Sequence, residues 1–271
     1  MRSRRQRRLW GVDFSGARDA GKAIWIAEGC LERGALRINR CVAMADEGRA
    51  MTGPVPCCEA LASLIAANPD SLFGCDFPFS LPRQLIPDDS WEEFVLAFPR
   101  RFASAEDFRR SCHDAAGGRE LRRPTDRVSR TPFSAYNIRI YRQTFHGIAN
   151  LLHALVRDRL GAILPMQSAR PDRAWLIEVC PASTLKSEGL YGSYKGCGAD
   201  RALARRRILH GLVDRRLLHP LPRPLESTVL RNVGGDALDS VIAAVAGARA
   251  LRSGRTDAVD PAESLEGRVY Y

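Results

Sequence analysis

Two segments of the chain have nearly the same sequence, and each ends a short apolar run. They are Gly11-Val12-Asp13-Phe14 and Gly74-Cys75-Asp76-Phe77. Between them, residues 57–67 have the apolar spacing of a helix, which the sequence Asn68-Pro69-Asp70 ends. A strand, a helix and a second strand in this order form a right-handed crossover between parallel strands. We therefore expect the two segments to be neighbouring parallel strands that end at one edge of a sheet.

The remaining apolar runs predict three more strands and three more helices. Residues 22–28 and 35–44 are rich in branched and aromatic side chains, and short polar stretches join them to the run 8–14. Such short connections are typical of an antiparallel meander. Residues 174–179 predict a later strand, and helical spacing is found over 141–160, 201–218 and 236–251. The order predicts an α/β fold with a mixed five-stranded sheet and helices on both faces.

One part of the chain does not follow this pattern. Residues 83–140 are rich in Arg, Pro and Asp and contain only short helical pieces. We interpret them as an insertion into a single domain that spans residues 9–271, and we interpret residues 1–8 as a basic N-terminal tail. A length of 271 residues suits one domain with an insertion better than two full domains.

The charge balance favours an anionic partner. Lys and Arg outnumber Asp and Glu by 41 to 31, which gives a net charge of +10. Nucleic acid, either DNA or RNA, is the partner that this balance favours. A genome rich in GC, which favours arginine, would explain the same composition.

The pattern of apolar residues argues against a membrane protein. Every apolar run is too short to span a bilayer. The arginines of the tail are not followed by the apolar run of a signal peptide, so we expect a cytoplasmic protein. The eight cysteines contain no CxxC pair, and we expect buried free thiols.

The last predicted helix carries two further carboxylates. Asp236 and Asp239 are three residues apart in its first turn, so they share one face, while the opposite face is apolar and suited to packing on the sheet. Together with Asp13 and Asp76 they form a set of four carboxylates. Carboxylates that lie close together repel each other unless a cation joins them, and oxygen ligands suit a hard cation. The sequence therefore predicts a site for Mg²⁺ or Mn²⁺.

Glu178 ends the predicted strand 174–179, and it is a fifth candidate for the same catalytic edge or for a supporting position beside it. A purely structural role is the alternative. The aspartates also have ordinary explanations. Asp13 and Asp76 could be turn residues, whereas Asp236 could be a helix N-cap with Asp239 at the third helical position.

Six short motifs together resemble a known family, the predicted nucleases grouped as domain of unknown function 429 and assigned to the ribonuclease-H-like superfamily. The motifs are GVDFSGA at 11–17, CDFPFSLP at 75–82, RPTD at 123–126, IEVCPAS at 177–183, GGDALDSVIAA at 234–244 and EGRVYY at 266–271. The last helix also resembles that of RuvC-type Holliday-junction resolvases, many of which have Glu at the position of Asp76.

The resemblance implies a ribonuclease-H-like fold and a two-metal site formed by Asp13, Asp76, Asp236 and Asp239. A nuclease of this kind hydrolyses phosphodiester bonds, with one metal activating water and the other stabilising the leaving oxygen. Arg123, Arg127 and Arg130 are candidates for binding the phosphates of the substrate, and a solvated basic face is the alternative explanation for such arginines.

Two other classes of protein compete with a nuclease. The first is a non-catalytic nucleic-acid-binding or scaffold protein on the same fold. The second is an actin-like, ATP-dependent phosphotransferase, which also begins with a strand, an Asp and a glycine turn. Those proteins contain two copies of the fold, and 271 residues leave room for one.

Overall fold

The computed structural model describes residues 7–47, 52–254 and 260–271. The strands are β1 (Arg8–Asp13), β2 (Trp25–Glu32), β3 (Ala35–Ala43), β4 (Ser71–Cys75), β5 (Gly161–Leu164), β6 (Ala174–Val179) and β7 (Val269–Tyr270). The first six helices are α1 (Ala20–Ala23), α2 (Pro54–Ala66), α3 (Trp91–Arg101), α4 (Ala105–Ala115), α5 (Pro124–Val128) and α6 (Tyr141–His146). A π-helical segment, Gly147–Leu152, joins α6 to the remaining helices, which are α7 (His153–Arg157), α8 (Pro181–Ser187), α9 (Ala199–Asp214), α10 (Arg223–Arg231), α11 (Asp236–Ser253) and α12 (Pro261–Glu266).

The strands form one mixed sheet in the order β3-β2-β1-β4-β6-β5, with β7 paired to β6. β1, β2 and β3 form an antiparallel meander, and β4 lies parallel to β1. The expected α/β class, the meander and the parallel crossover are therefore confirmed. The predicted strand count of five is wrong, because the sheet has seven strands.

The two additional strands are β5 and β7, which are only four and two residues long. β5 contains the sequence GAIL, and an apolar run this short cannot be distinguished by its spacing from the last turn of a preceding helix. The predicted helix 141–160 is three residues too long at its C-terminal end, since α7 ends at Arg157. α10 was also not predicted, because its first residues lie in a proline-rich stretch.

Alternating side chains of each central strand point into two separate cores. Trp10, Val12, Phe73 and Cys75 pack on one face with residues of α2, α3, α4 and α7. Leu9, Leu72, Ile177 and Val179 pack on the other face with residues of α8, α9, α10 and α11. The expected placement of helices on both faces of the sheet is confirmed.

The segment 83–140 contains no strand, and all of its residues are described. Its aromatic side chains belong to the first core. Phe98 and Phe102 each have a ring centroid within 5.4 Å of that of Phe108, and Phe98 also approaches Phe145 of α6. The segment is therefore part of the helical layer that covers one face of the sheet.

Residues 1–6 of the expected basic tail lie outside the described residues, but Arg7 and Arg8 belong to the fold. The guanidinium of Arg7 donates hydrogen bonds to the backbone oxygens of Pro69, Ser71, Arg170 and Arg173. It also lies 3.8 Å from the ring centroid of Trp175. Arg8 is the first residue of β1. These two arginines therefore serve the structure of the sheet and are not available as a tail.

Two expectations from composition can be compared with the structure. None of the helices in the described ranges is long and apolar enough to cross a membrane. All eight cysteines are free, but only five of them are buried, and Cys197 is exposed. The expectation that all of the thiols are buried is therefore wrong, because Cys197 lies in the loop before α9 and does not pack into either core.

Candidate functional site

Asp13 and Asp76 lie side by side at one edge of the sheet. Asp13 is the last residue of β1, and Asp76 directly follows β4. The parallel pairing of Val12 with Cys75 places the two aspartates next to each other in register. The backbone N–H of Asp76 extends this ladder by donating to the carbonyl of Val12 over 2.9 Å.

Helix α11 brings the other two predicted carboxylates to the same edge. Asp236 and Asp239 are in its first turn. The helix begins after Gly235, whose φ of +85° is the left-handed conformation that glycine adopts without strain. The N-cap is therefore Gly235, which corrects the N-cap interpretation of Asp236.

Two strand glycines allow α11 to lie directly on the sheet. A Cβ on Gly11 would come within 1.9 Å of the carbonyl oxygen of Ser240 and 2.3 Å of the nitrogen of Ala244. A Cβ on Gly74 would come within 2.7 Å of the carbonyl oxygen of Ala243. Each of these glycines precedes an aspartate of the site by two residues. The repeated Gly-x-Asp pattern thus combines a contact position for the helix with a carboxylate at the end of the strand.

The four aspartates form one electrostatic group. Burial, together with the negative charge of Asp239, raises the pKa of Asp13 well above its usual value and raises the pKa of Asp76 to about 8. Burial also raises the pKa values of Asp236 and Asp239, and the positive charge of Lys195 acts against this in both cases. Negative charge at this edge is thus unfavourable unless a cation is present.

Lys195 and Tyr194 complete the site, and neither was predicted. The ammonium of Lys195 lies 2.6 Å from one carboxylate oxygen of Asp239, and the hydroxyl of Tyr194 donates to the other over 2.5 Å. The Lys195 side chain is 55% exposed, whereas that of Asp239 is buried. The sequence contains one signal for this residue, since only three of the 41 basic residues are lysines.

Glu178 does not join the four aspartates. Its strand neighbour is Cys75, so its side chain belongs to the face of the sheet opposite to that of Asp13 and Asp76. One of its carboxylate oxygens accepts from the backbone N–H of Phe79 over 2.8 Å, and both are bound by Arg123. Glu178 is thus held in a buried ion pair, although it lines the same cavity as the aspartates and its negative charge contributes to the raised pKa of Asp76.

Arg123 is likewise not placed to bind substrate. Its guanidinium is only 1% exposed, and it binds Asp126 at 2.7 Å and Glu178 at 2.5 Å. Burial lowers its pKa, but the two carboxylates more than offset this, and the pKa of Arg123 is raised overall. The other two predicted substrate ligands, Arg127 and Arg130, are exposed and do not line the cavity beside the aspartates.

A cavity of about 730 Å³ opens beside the four aspartates. One wall consists of the strand ends with Phe14 and Phe77. The facing residues come from the segment 131–143 and from the loop 191–195. A volume of this order is typical of sites that bind small molecules or a single unit of a polymer.

The pKa of Asp76 predicts a pH-dependent stability. Between its usual value of 3.8 and its folded value of about 8, the folded chain retains a proton that the unfolded chain has released. The contribution of Asp76 to the free energy of unfolding therefore falls as pH rises through this interval, and this contribution stays constant below and above it. Asp76→Asn removes this dependence. We expect the stability of the variant relative to wild type to increase by about 4 kcal/mol from about pH 5 to about pH 8.5, without divalent ions.

Urea unfolding at both pH values measures this difference. The matched control is Asp114→Asn, because Asp114 is exposed on α4. A constant difference between Asp76→Asn and wild type across the pH range would show that Asp76 is ionised throughout.

Comparison with known proteins identifies a family and nothing more specific. No curated protein and no solved structure matches the chain. One family model, described as a protein of unknown function (DUF429), matches residues 11–264 and therefore includes all four aspartates as well as Lys195 and Glu178. Because the match covers nearly the whole chain, the protein belongs to the DUF429 family.

Proposed function

We propose that the protein is a metal-dependent nuclease of ribonuclease-H-like fold, which hydrolyses phosphodiester bonds with Mg²⁺ or Mn²⁺ bound by Asp13, Asp76, Asp236 and Asp239. One observation carries the proposal. Two adjacent parallel strands end in aspartates, and a helix places two further aspartates over them. The raised pKa values of these carboxyl groups indicate that their ionised forms are unfavourable here, and a bound cation would stabilise them.

The topology supports the fold part of the proposal. The path β3-β2-β1-β4-β6 consists of an antiparallel meander followed by strands parallel to β1. It contains the five strands expected from the sequence, and β5 and β7 are additions next to β6. Ligands of α/β sheets bind beyond the carboxyl ends of the strands, which is where the aspartates lie.

The residues fit a hard cation in their chemistry. All four side chains offer carboxylate oxygens, the ligands that Mg²⁺ and Mn²⁺ prefer. In the arrangement described, however, no three His, Cys, Asp or Glu side chains among residues 7–47, 52–254 and 260–271 converge closely enough to hold a metal. Lys195 supplies the positive charge instead, at 2.6 Å from Asp239. In the proposed function, the carboxylates move closer together around the metal, and Lys195 is displaced from Asp239.

The side chains of the protein have distinct roles in the proposed reaction. A bound metal would activate water and offset the charge on the leaving oxygen. The backbone of Asp13 and Asp76 is held by the strand ladder, and the backbone carbonyl of Asp76 also accepts from the side-chain amide of Gln143 over 3.1 Å. Tyr194 orients Asp239 through its hydroxyl. Lys195, once released from Asp239, is close enough to the site to neutralise a phosphate oxygen.

Hydrolysis of nucleic acid tests the proposal. Labelled single-stranded DNA, single-stranded RNA and a branched DNA are incubated with Mg²⁺, with Mn²⁺ or with EDTA. We expect cleavage of at least one of these substrates only with a divalent ion. Asp13→Asn is expected to lower the rate at least ~100-fold, because it removes a buried metal ligand.

The control for this assay is Asp114→Asn, which changes an exposed aspartate remote from the cavity. Cleavage in EDTA, or equal rates for Asp13→Asn and wild type, would mean that the aspartate site does not catalyse hydrolysis. The Lys195–Asp239 ion pair favours a second candidate in that case. This is a nucleic-acid-binding protein in which the lysine permanently replaces the metal.

A further inference from the structure

The cavity beside the aspartates contains one positive side chain that has no carboxylate partner. Three basic residues line its wall. Arg123 is paired with Asp126 and Glu178, and Lys195 is paired with Asp239. Arg139 is exposed, and within the described parts of the chain no Asp or Glu lies at ion-pair distance from it. Of the three basic residues that line the cavity, Arg139 is therefore the one whose guanidinium can bind an anion without breaking an ion pair.

An aromatic ring supports the position of this guanidinium. Arg139 lies 5.4 Å from the ring centroid of Phe133, which is half-buried in the same wall. The backbone N–H of Arg139 also donates to the side chain of Asn137 over 2.9 Å. A guanidinium placed in this way loses less freedom when it binds a phosphate, and its planar fork matches two phosphate oxygens.

A second aromatic side chain of the wall is accessible to solvent. Tyr191 lines the cavity and is 54% exposed. Lys186 lies 5.0 Å from its ring centroid, so one part of the ring is supported by the protein. Exposed aromatic rings next to basic groups are the surfaces on which proteins stack nucleic-acid bases.

We infer that this cavity binds a nucleoside phosphate, with Arg139 on the phosphate and Tyr191 against the base. The inference rests on the proposed function, because it names the substrate class of the same site. A duplex keeps its bases paired and stacked, so a base can enter the cavity only from a single strand or as a free nucleotide. A volume of about 730 Å³ has room for one or two such units.

Binding of two probes tests the inference and distinguishes the two sources. The probes are thymidine 5′-monophosphate and a short labelled oligothymidylate. Both are measured in calcium buffer at constant ionic strength, and the probe is recovered intact afterwards. We expect Arg139→Ala to weaken binding about 10-fold or more, because a charge-assisted contact to phosphate is lost. Tyr191→Leu is expected to weaken it about 5-fold or more.

Arg127→Ala is the matched control, since Arg127 is an exposed arginine that does not line the cavity. Equal losses in Arg127→Ala and Arg139→Ala, or no binding of either probe by wild type, would overturn the inference. Tighter binding of the oligonucleotide would assign the site to a nucleic-acid strand, whereas equal affinity would assign it to a free nucleotide. If wild-type protein binds the probes in calcium but cleaves no substrate in the assay with Mg²⁺ or Mn²⁺, the proposed nuclease is overturned and this binding site remains.

Discussion

Gly11→Ala is expected to lower the free energy of unfolding by at least about 3 kcal/mol, the upper part of the range for overpacked cores. The added Cβ would lie 1.9 Å from the carbonyl oxygen of Ser240 and 2.3 Å from the nitrogen of Ala244. Both atoms belong to the backbone of α11, so no side chain can rotate to relieve the contact. The helix must move away from the sheet, and Asp236 and Asp239 move with it.

Urea unfolding followed by circular dichroism measures the change, with Gly192→Ala as the control. A Cβ on Gly192 meets no atom within 4 Å, and the residue is not in the left-handed conformation. We expect the control to stay within about 1 kcal/mol of wild type. If Gly11→Ala unfolds at the same urea concentration as wild type, α11 does not rest on β1 as described.

Arg123→Met is expected to lower the free energy of unfolding by about 3–5 kcal/mol at neutral pH. The variant leaves Asp126 and Glu178 buried beside each other without a positive partner. It also removes the hydrogen bond from Arg123 to the carbonyl of Glu266, which is 3.1 Å long and connects the triad to α12. Unfolding in urea is again the measurement.

Arg142→Met is the matched control for this ion triad. Arg142 also binds a carboxylate through two nitrogens, but its side chain is 58% exposed and that of Glu106 is 62% exposed. Exposed pairs contribute little, and we expect a change below about 0.5 kcal/mol. Similar losses in Arg123→Met and Arg142→Met would mean that burial of the triad does not determine its contribution.

The four aspartates could be predicted because each has a local cause in the sequence. The Gly-x-Asp pattern recurs at the ends of two strands that a helical crossover must bring together. The spacing of three between Asp236 and Asp239 places both in one helical turn. None of these inferences needs knowledge of distant contacts.

The face of the sheet to which Glu178 belongs could not be predicted, because it depends on the register between β6 and β4. The register pairs Cys75 with Glu178, so Asp76 falls opposite Val179, and residues that are neighbours along a strand point to opposite faces. The sequence does not contain this register, because it depends on how far β6 slides along β4. The partner of Glu178, Arg123, is 55 residues away in a segment without a regular pattern.

The role of Lys195 was not predictable for a similar reason. The residue lies in the loop 188–198, between α8 and α9, and no apolar spacing places that loop over the end of the sheet. Its partner, Asp239, is 44 positions later in the chain and is brought near by the packing of α11. Ion pairs between distant loops and helices follow from tertiary structure, which a local pattern does not describe.

The most direct test of the proposed metal site is anomalous diffraction from crystals soaked in Mn²⁺, compared between wild type, Asp13→Asn and Lys195→Met. We expect a manganese peak among Asp13, Asp76 and the first turn of α11 in wild type, with Lys195 displaced from Asp239. The peak should be stronger in Lys195→Met, which removes the competing charge, and absent from Asp13→Asn. No peak at this edge in either wild type or Lys195→Met would contradict the proposed metal-dependent mechanism, and it would leave Lys195 as the permanent counter-ion of the four aspartates.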